Sequence, residues 1–279
     1  MTSRSRIMIP GNAMDIIDLS QKMRRLAQWL DGRAPSDRFV RKAFDGPPFG
    51  NCYVTIDPER QTRFASGNMN RVYLCGAGAG MDAGSIRRLI DLFTGERIRR
   101  FFVWLSPGPD MALVRGWLAE AGLSRIRHTG YPTLCRIGHA PVQFSTELEI
   151  REVGVDEIAA AREPLGETLW PDFERTAGQP GFFHYIAFDG KRPVAIAALC
   201  LFEDLGYLMA AATVESHRQH GAQQALIAKR LERAEQAGCA MAVSETLYML
   251  EHSWRNLQRA GFRKAYEKEV YEWNAAATI

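Results

Sequence analysis

The residues best suited to chemistry lie in a short polar turn between an apolar run and a long amphipathic segment. The turn carries Arg218 and Gly221, and residues 223–237 have the composition of a helix that ends at Gly238. The first N–H groups of a helix lack intrahelical partners, and the helix dipole adds partial positive charge there. Glycine lets a ligand approach the bare backbone, and arginine can contact a phosphate through two N–H groups. The turn therefore predicts a phosphate or diphosphate site.

Two motifs in this region resemble the signatures of the GNAT superfamily of N-acetyltransferases. Residues 218–223, Arg-Gln-His-Gly-Ala-Gln, resemble its acyl-CoA-binding turn, whose pattern is Arg or Gln, two residues, Gly, one residue, then Gly or Ala. Residues 253–262 resemble its second signature, a helix that ends in Gly-Phe. The order strand, turn, helix, strand, helix, Gly-Phe and strand is also that of the superfamily. The resemblance covers roughly residues 148–273.

The resemblance implies that acetyl-CoA binds at this turn as a co-substrate. The residues expected to contact it lie at the end of the preceding strand, in the turn and on the second helix: Thr213, Val214, Arg218, Gln219, His220, Gly221, Ala222, Gln223, Ser253 and Asn256. Ser253 is also a natural N-cap for the second helix. The two histidines of the turn have no Cys, Asp or Glu at ligand spacing, so we predict no metal site.

Two positions depart from the superfamily pattern. Gln223 stands where Gly or Ala is usual, and a Cβ is tolerable there if the residue is already helical. Leu257 stands four residues before Gly261, where many members carry a Tyr that protonates the leaving CoA thiolate. Either another group does that work, the thiolate leaves unaided, or the domain binds CoA without catalysis.

Transfer to an amine needs a general base, because an ammonium cannot attack a thioester. The base must lie within hydrogen-bond reach of the amine, directly or through one water. We expect Glu245, near the end of the strand 239–246, to be this base, since the two central strands of the superfamily splay at that point. Asp172 and Glu174 are the next candidates. His184 lies in an apolar strand and is expected to be a packed histidine.

The whole chain has 279 residues, which predicts about two domains. Hydrophobic and charged contents of 46% and 24% are typical of a globular protein, and a net charge of +3 is too small to imply nucleic acid as a partner. No apolar run approaches the ~18 residues of a membrane-spanning helix. The five cysteines form no CxxC pair and lie mostly in apolar runs, which indicates reduced, buried thiols in a cytoplasmic protein.

The N-terminal half repeats the order of the C-terminal half about 140 residues earlier. A strand at 100–106 is followed by a helix, Gly122 and another strand at 131–136. We infer a degenerate N-terminal copy in residues 1–140 and an acetyl-CoA-binding domain in residues 147–279, joined by a linker around residues 137–146.

A glycine-rich loop, Gly76–Gly80, lies between a strand and a helix of the N-terminal half. Such a loop is compatible with phosphate binding. Asp82, however, stands where the phosphate would lie, so we predict a connector in which Asp82 is the N-cap of the helix.

The predicted fold class is α/β, with two GNAT-like domains that are each a mixed, mostly antiparallel sheet flanked by helices. Helices are also predicted at residues 13–31 and 36–44. The implied function is direct transfer of an acetyl group from acetyl-CoA to an amine, which the family favours as part of a small molecule. The alternative is a non-catalytic acyl-CoA-binding or interaction protein. A homodimer is compatible with the sequence, and no nucleic-acid or membrane partner is expected.

Overall fold

The computed structural model describes residues 6–9, 12–33, 40–59, 61, 69–138, 140–169 and 171–277, and the chain forms two compact units. The first contains residues 1–131 together with 266–279, and the second contains residues 132–265. These units differ from the predicted domains, 1–140 and 147–279, around residue 131 and at the C-terminal strand.

The first unit is built on a mixed sheet with helices on it. Its strands are β1 (Arg6–Ile9), β2 (Asn12–Asp15), β3 (Val40–Gly46), β4 (Gly50–Ile56), β5 (Arg71–Cys75), β6 (Arg100–Ser106) and the later part of β13 (Arg263–Asn274). The sheet order is β3-β4-β5-β6-β13, in which only β5 and β6 are parallel. β1 and β2 form a separate antiparallel pair.

The helices of the first unit are α1 (Ile16–Asp31), α2 (Ala83–Gly95) and α3 (Met111–Glu120). Apolar side chains from α2 and α3 pack with the central strands in one buried cluster. Phe93 of α2 stacks on Phe101 of β6 with ring centroids 4.1 Å apart, and Phe101 also stacks on Trp273 of β13. The last strand of the chain therefore completes both the sheet and the core of this unit.

The strands of the second unit also pair in parallel and antiparallel orientation. β7 spans Ser124–Arg136, and its residues from 132 onward belong to this unit. The other strands are β8 (Glu149–Val153), β9 (Phe182–Asp189), β10 (Arg192–Phe202), β11 (Leu205–Thr213) and β12 (Met241–Glu245). The order is β7-β12-β11-β10-β9-β8, in which only β11 and β12 are parallel. Its helices are α4 (Val155–Leu165), α5 (Pro171–Arg175), α6 (Ala222–Gln236) and α7 (Glu251–Arg259).

The sheet of the second unit is covered by two apolar clusters. In one, Leu226 of α6 and Leu257 of α7 pack with Leu134 of β7. In the other, α4 and α5 pack on Ile186 and Ile196 of the sheet. Because alternate residues of a strand point to opposite faces, β10 supplies apolar side chains to both clusters, which explains its nearly continuous apolar sequence.

The structure confirms the predicted fold class, and each unit contains a parallel strand pair that flanks a helix. The predicted helix at 36–44 is wrong where it can be compared, because residues 40–46 form β3, and residues 36–39 lie outside the described residues. All five cysteines are buried, as predicted. Within the described ranges, none of the helices combines the length and apolarity that crossing a lipid bilayer requires.

Candidate functional site

The start of α6 is built around Gly221, which precedes the first helical residue. Its φ of +78° lies in the left-handed region that glycine adopts without steric cost. A Cβ at this position would overlap the carbonyl oxygen of Ser145 and lie 3.1 Å from the Cβ of Thr146. Thr146 also donates a hydrogen bond from Oγ1 to the carbonyl oxygen of His220 at 2.7 Å. The packing of the protein itself therefore requires glycine here, whether or not a ligand binds.

The N–H groups around Gly221 form a run of donors. The first hydrogen bond of α6 runs from the N–H of Ala225 to the carbonyl oxygen of Gly221 at 3.1 Å. In the part of the chain that the structure describes, no residue supplies an acceptor to the N–H groups of residues 219–224. The first turn of α6 also lacks an acidic side chain. This helix start therefore keeps both its donors and the positive end of its dipole for an anion.

The side chains of Arg218 and His217 have different roles in the turn. The side chain of Arg218 is 65% exposed, and its nearest acidic partner, the exposed Glu215, lies 3.8 Å away. An exposed pair at that distance is weak, so the guanidinium can turn to an anionic ligand. His217, by contrast, is fixed between Asp189 (Nε2–Oδ2, 3.1 Å) and the Oγ of Ser216 (2.8 Å from Nδ1). His217 therefore stabilises the turn.

Gln223 explains how the site accepts a residue larger than Gly or Ala. It is already helical, as its predicted tolerance requires, and its Nε2 donates to the carbonyl oxygen of Ala212 at 3.1 Å and to Oγ1 of Thr213 at 2.8 Å. These bonds attach the start of α6 to the end of β11. The N–H of Val214 donates to the carbonyl oxygen of Val194 at 2.9 Å. Of the predicted contacts, Thr213 and Val214 thus lie beside the turn.

A bulge interrupts β11 just before this point, and no sequence pattern indicated it. Between the register pairs Ile196–Ala212 and Ala198–Met209, β10 places one residue and β11 places two. The first extra residue, Ala210, has φ +47°, a conformation that costs a residue with a Cβ roughly 1–3 kcal/mol. A bulge leaves main-chain groups outside the regular ladder, often next to active sites. Glycine is the usual signal for such a bulge, and β11 has alanine there.

The strands β11 and β12 separate at the same level. In the described sheet their pairing ends at Leu208 and Ser244, and Oγ of Ser244 donates to the carbonyl oxygen of Leu208 at 3.1 Å. β11 continues to Thr213, so its bulged part extends past the paired region. Glu245 follows Ser244 directly, and its carboxylate accepts a hydrogen bond from Oγ1 of Thr133 at 2.9 Å. Glu245 therefore lies at the end of β12, directly after the last residue paired with β11, and its role as a base stays a prediction.

Helix α7 differs from the prediction at its start. It begins two residues before Ser253, and the N-cap is Leu250, so the prediction that Ser253 is the N-cap is wrong. Asn256 accepts hydrogen bonds from Nε2 of Gln224 at its carbonyl oxygen (2.8 Å) and at Oδ1 (3.3 Å). The polar side chain of Asn256 thus ties α7 to the first turn of α6. Leu257 is 5% exposed and belongs to the apolar core.

The remaining acidic candidates are engaged in exposed ion pairs. Asp172 lies 2.6 Å from the guanidinium of Arg175, and Glu174 lies 2.7 Å from that of Arg162. Both residues lie on the short helix α5. The geometry therefore favours Glu245 over both.

His184 is a packed histidine, as predicted. It is buried, bonds to Oγ1 of Thr176 at 3.0 Å and meets the ring of Phe173 edge-on. Burial lowers its pKa to about 4, so the ring is neutral at neutral pH. A neutral histidine inside the core has no access to a substrate amine.

The glycine-rich loop of the first unit is closed by the protein itself, which confirms the predicted connector. The N–H of Ala77 donates to the carbonyl oxygen of Pro109 at 2.7 Å. Asp82 is the N-cap of α2, and its carboxylate accepts from the N–H of Ser85 at 2.8 Å. Arg88 lies 3.1 Å from the same carboxylate. The hydrogen bonds with Ser85 lower the pKa of Asp82, so the N-terminus of α2 carries its own anion.

Comparisons with known proteins agree with these observations. Residues 149–262 match the model of the "Acetyltransferase (GNAT) family". Among curated protein sequences, none matches closely enough to count as a relative. No group of three or more His, Cys, Asp or Glu residues that could hold a metal ion is found among the described residues.

Three solved structures resemble the chain over most of its length. A GCN5-related N-acetyltransferase from Kribbella flavida is 16% identical, with a TM-score of 0.61 over 92% of this chain and 94% of that protein. A tandem GNAT protein from the clavulanic acid biosynthesis pathway is 12% identical, with a TM-score of 0.58 over 93% and 95%. A GCN5-related N-acetyltransferase from Sphaerobacter thermophilus is 11% identical, with a TM-score of 0.56 over 87% and 97%. Residues 149–262 thus belong to the GNAT acetyltransferase family, and the chain has the fold of a tandem GNAT protein.

Proposed function

We propose that the second unit binds acetyl-CoA and transfers its acetyl group to an amine. The observation that carries this proposal is the run of unbonded N–H groups at residues 219–224, placed at the positive end of α6. These donors match the oxygens of a diphosphate, and the exposed Arg218 adds a cation beside them. Family membership supports acyl-CoA as the anion.

The elements beside α6 match the remainder of the cofactor. The pairing of β11 and β12 ends at Leu208, and we place the extended part of the cofactor beside the unpaired end of β11. The bulge at Ala210 interrupts the regular register of β11, and we propose that its main-chain N–H groups donate to the thioester carbonyl oxygen. In this arrangement the diphosphate lies at the turn, and the thioester lies where the strands separate.

Glu245 is the proposed base for the amine. It takes a proton from the ammonium, directly or through a water, and the hydrogen bond from Thr133 keeps its carboxylate in place. The amine nitrogen then forms a bond to the carbonyl carbon while the carbon–sulfur bond breaks. The sulfur leaves as a thiolate, unaided or protonated by a group other than residue 257. Binding both reactants in one complex supplies the required proximity.

We further propose that the acceptor is a small molecule in the cytoplasm. This part rests on the family resemblance, because fold alone does not determine the substrate of an acetyltransferase. No residue described above selects a particular acceptor.

A second candidate function is acyl-CoA binding without catalysis. The observation in its favour is Leu257, a buried core residue at the position where many family members have the Tyr that protonates the leaving thiolate. The two candidates share the cofactor site and differ only in turnover. Release of free thiol from acetyl-CoA over a panel of amines therefore separates them.

Calorimetric titration with acetyl-CoA and with CoA tests the cofactor site. We expect binding in the micromolar range, and we expect Arg218→Ala to weaken it about tenfold, since a hydrogen bond to a charged group contributes about 1.5–3 kcal/mol. Lys229→Ala is the control, because Lys229 is also a solvent-exposed cation and lies farther along the chain on α6, where it pairs with Glu232. Failure of the wild-type protein to bind either compound would reject both candidate functions.

A further inference from the structure

Arg230 is a buried cation in the middle of α6. Its side chain is only 2% exposed, whereas the cation before it, Lys229, lies on the surface. Arginine is almost never fully buried unless its charge is compensated. Burial lowers the pKa of Arg230 to about 9, so the guanidinium still carries its charge at neutral pH.

The guanidinium of Arg230 bonds only to main-chain oxygens among the described residues. Nε donates to the carbonyl oxygen of Leu226, one turn earlier in α6, at 3.0 Å. Nη1 donates to the carbonyl oxygens of Ala198 and Met209, each at 3.3 Å. Ala198 and Met209 face each other across β10 and β11, and their pair borders the shifted register. Arg230 thus joins α6 to both strands at the edge of the bulge.

This position matters because the bulge is strained. Ala210 follows Met209 directly and has φ +47°, a conformation that glycine adopts freely and alanine does not. Strained backbone of this kind persists only where the surrounding structure holds it. Arg230 supplies such a restraint, since one side chain holds the carbonyl groups of both strands beside Ala210.

We propose that Arg230 is a positioning residue that holds the Ala210 bulge, so that main-chain N–H groups of the bulge donate to the thioester carbonyl of acetyl-CoA. Because Arg230 lies on the helix whose start holds the diphosphate, it also fixes the distance between the two ends of the cofactor site. The inference rests on the proposed function. It adds a residue that touches neither cofactor nor substrate, and it gives a reason for the buried charge.

The test compares Arg230→Met with the wild-type protein. We expect the variant to fold with an unchanged or higher melting temperature, because replacing a buried charge by an apolar side chain of similar size is often neutral or stabilising. We expect the affinity for CoA to change less than twofold and the preference for acetyl-CoA over CoA to be lost. The turnover number should fall at least tenfold at saturating acetyl-CoA.

A spectroscopic measurement separates positioning from general stability. The carbonyl stretch of acetyl-CoA labelled with ¹³C at the carbonyl should shift to lower frequency on binding to the wild-type protein, since N–H donors polarise the bond. We expect this shift to shrink in Arg230→Met and to persist in the control Lys229→Met.

A second substitution provides rescue. Ala210→Gly relieves the left-handed strain, so the bulge no longer depends on Arg230. The double variant Ala210→Gly, Arg230→Met should recover most of the carbonyl shift and turnover. Arg230→Lys, which keeps a charge but loses the forked geometry, should give an intermediate shift and serves if Arg230→Met does not fold.

The outcomes distinguish the inference from the function on which it rests. If the wild-type protein binds neither CoA nor acetyl-CoA, the proposed function itself is wrong. If both bind and the carbonyl shift in Arg230→Met or Arg230→Lys equals that of the wild type, the positioning role of Arg230 is rejected. If Arg230→Met loses both CoA binding and the carbonyl shift, the positioning role is also rejected, because the substitution would then have disrupted the whole cofactor site.

Discussion

The junction between β5 and α2 in the first unit and that between β11 and α6 in the second are built alike. Each joins a strand through a glycine-containing turn to a helix, and each strand has a parallel neighbour that follows the helix in the chain. At α2 the carboxylate of Asp82 accepts from the helix N–H groups, whereas at α6 the corresponding N–H groups have no acceptor among the described residues. The same local architecture is therefore closed in one unit and available in the other.

The glycines of the two junctions also differ in their surroundings. Those of the first unit let loops of the protein approach, since a Cβ at Gly76 would overlap Gly108 and one at Gly80 would overlap Pro47. Gly221 likewise admits the Ser145 carbonyl group, yet the donors beside it remain unbonded. A glycine-rich turn thus indicates close approach of something to the backbone, and only the structure shows whether that partner is protein or ligand.

The largest effect is expected from substitutions of the left-handed glycines of α6. Gly221→Ala should lower the free energy of unfolding by about 3 kcal/mol or more, because it combines left-handed strain with overlap of the Ser145 oxygen. Gly238→Ala, at the other end of the helix, has a similar φ of +76° and no atom within 4 Å, so about 1 kcal/mol is expected. Chemical denaturation measures both. Equal losses would show that the contact with Ser145 is unimportant.

The second largest effect is expected when a carboxylate is introduced at the junction between β11 and α6. His220→Asp places an acidic group next to the bare N–H groups, as Asp82 does in the first unit. Repulsion and competition for the donors should weaken acetyl-CoA binding about tenfold, since roughly 1.4 kcal/mol corresponds to that factor. The control Gln236→Asp puts the same charge at the far end of α6 and should leave the affinity unchanged. Calorimetric titration decides the matter, and an equal effect of both variants would contradict a local anion site.

The smallest effect is expected from opening the closed junction. Asp82→Ala should lower the melting temperature at pH 7 by no more than a few degrees, through loss of the helix cap. Because the folded pKa of Asp82 lies below its ordinary value, the carboxylate stabilises the protein above that ordinary value, and its contribution is lost as pH falls through the folded pKa. The difference between variant and wild type should therefore disappear in acid.

The same variant also tests whether the first unit can bind acetyl-CoA once Asp82 no longer caps α2. The N–H of Ala77 is bonded to Pro109, and loops occupy the space beside the glycines. We therefore expect the Asp82→Ala variant to bind one acetyl-CoA per chain, like the wild type. A second equivalent of bound acetyl-CoA in the titration would show that the carboxylate alone had closed this junction.

The sequence predicted helices and strands well where an apolar pattern was bounded by residues that end such elements, such as glycine. The helix predicted at residues 223–237 and the strand predicted at residues 239–246 both correspond to elements of the structure, because apolar patterns and terminal glycines report local structure. The helix at 36–44 was wrong in its second half, since β3 is stabilised by pairing with β4, which no local pattern encodes. The N-cap at Ser253 failed for a similar reason, as the helix starts earlier without any side-chain cap.

The sequence by itself determined the family match of residues 149–262, the prediction of a diphosphate site at the turn and the presence of Leu257 in place of the usual Tyr, because these depend on residue types at fixed spacing. Only the tertiary structure decided that, among the described residues, the N–H groups at α6 have no acceptor while the N-terminus of α2 is capped, and that Ala210 lies in a bulge beside Arg230. These features depend on contacts between segments far apart in the chain, such as Thr146 with His220 and α6 with β10. Which hydrogen-bonding groups such contacts leave unsatisfied is decided by packing.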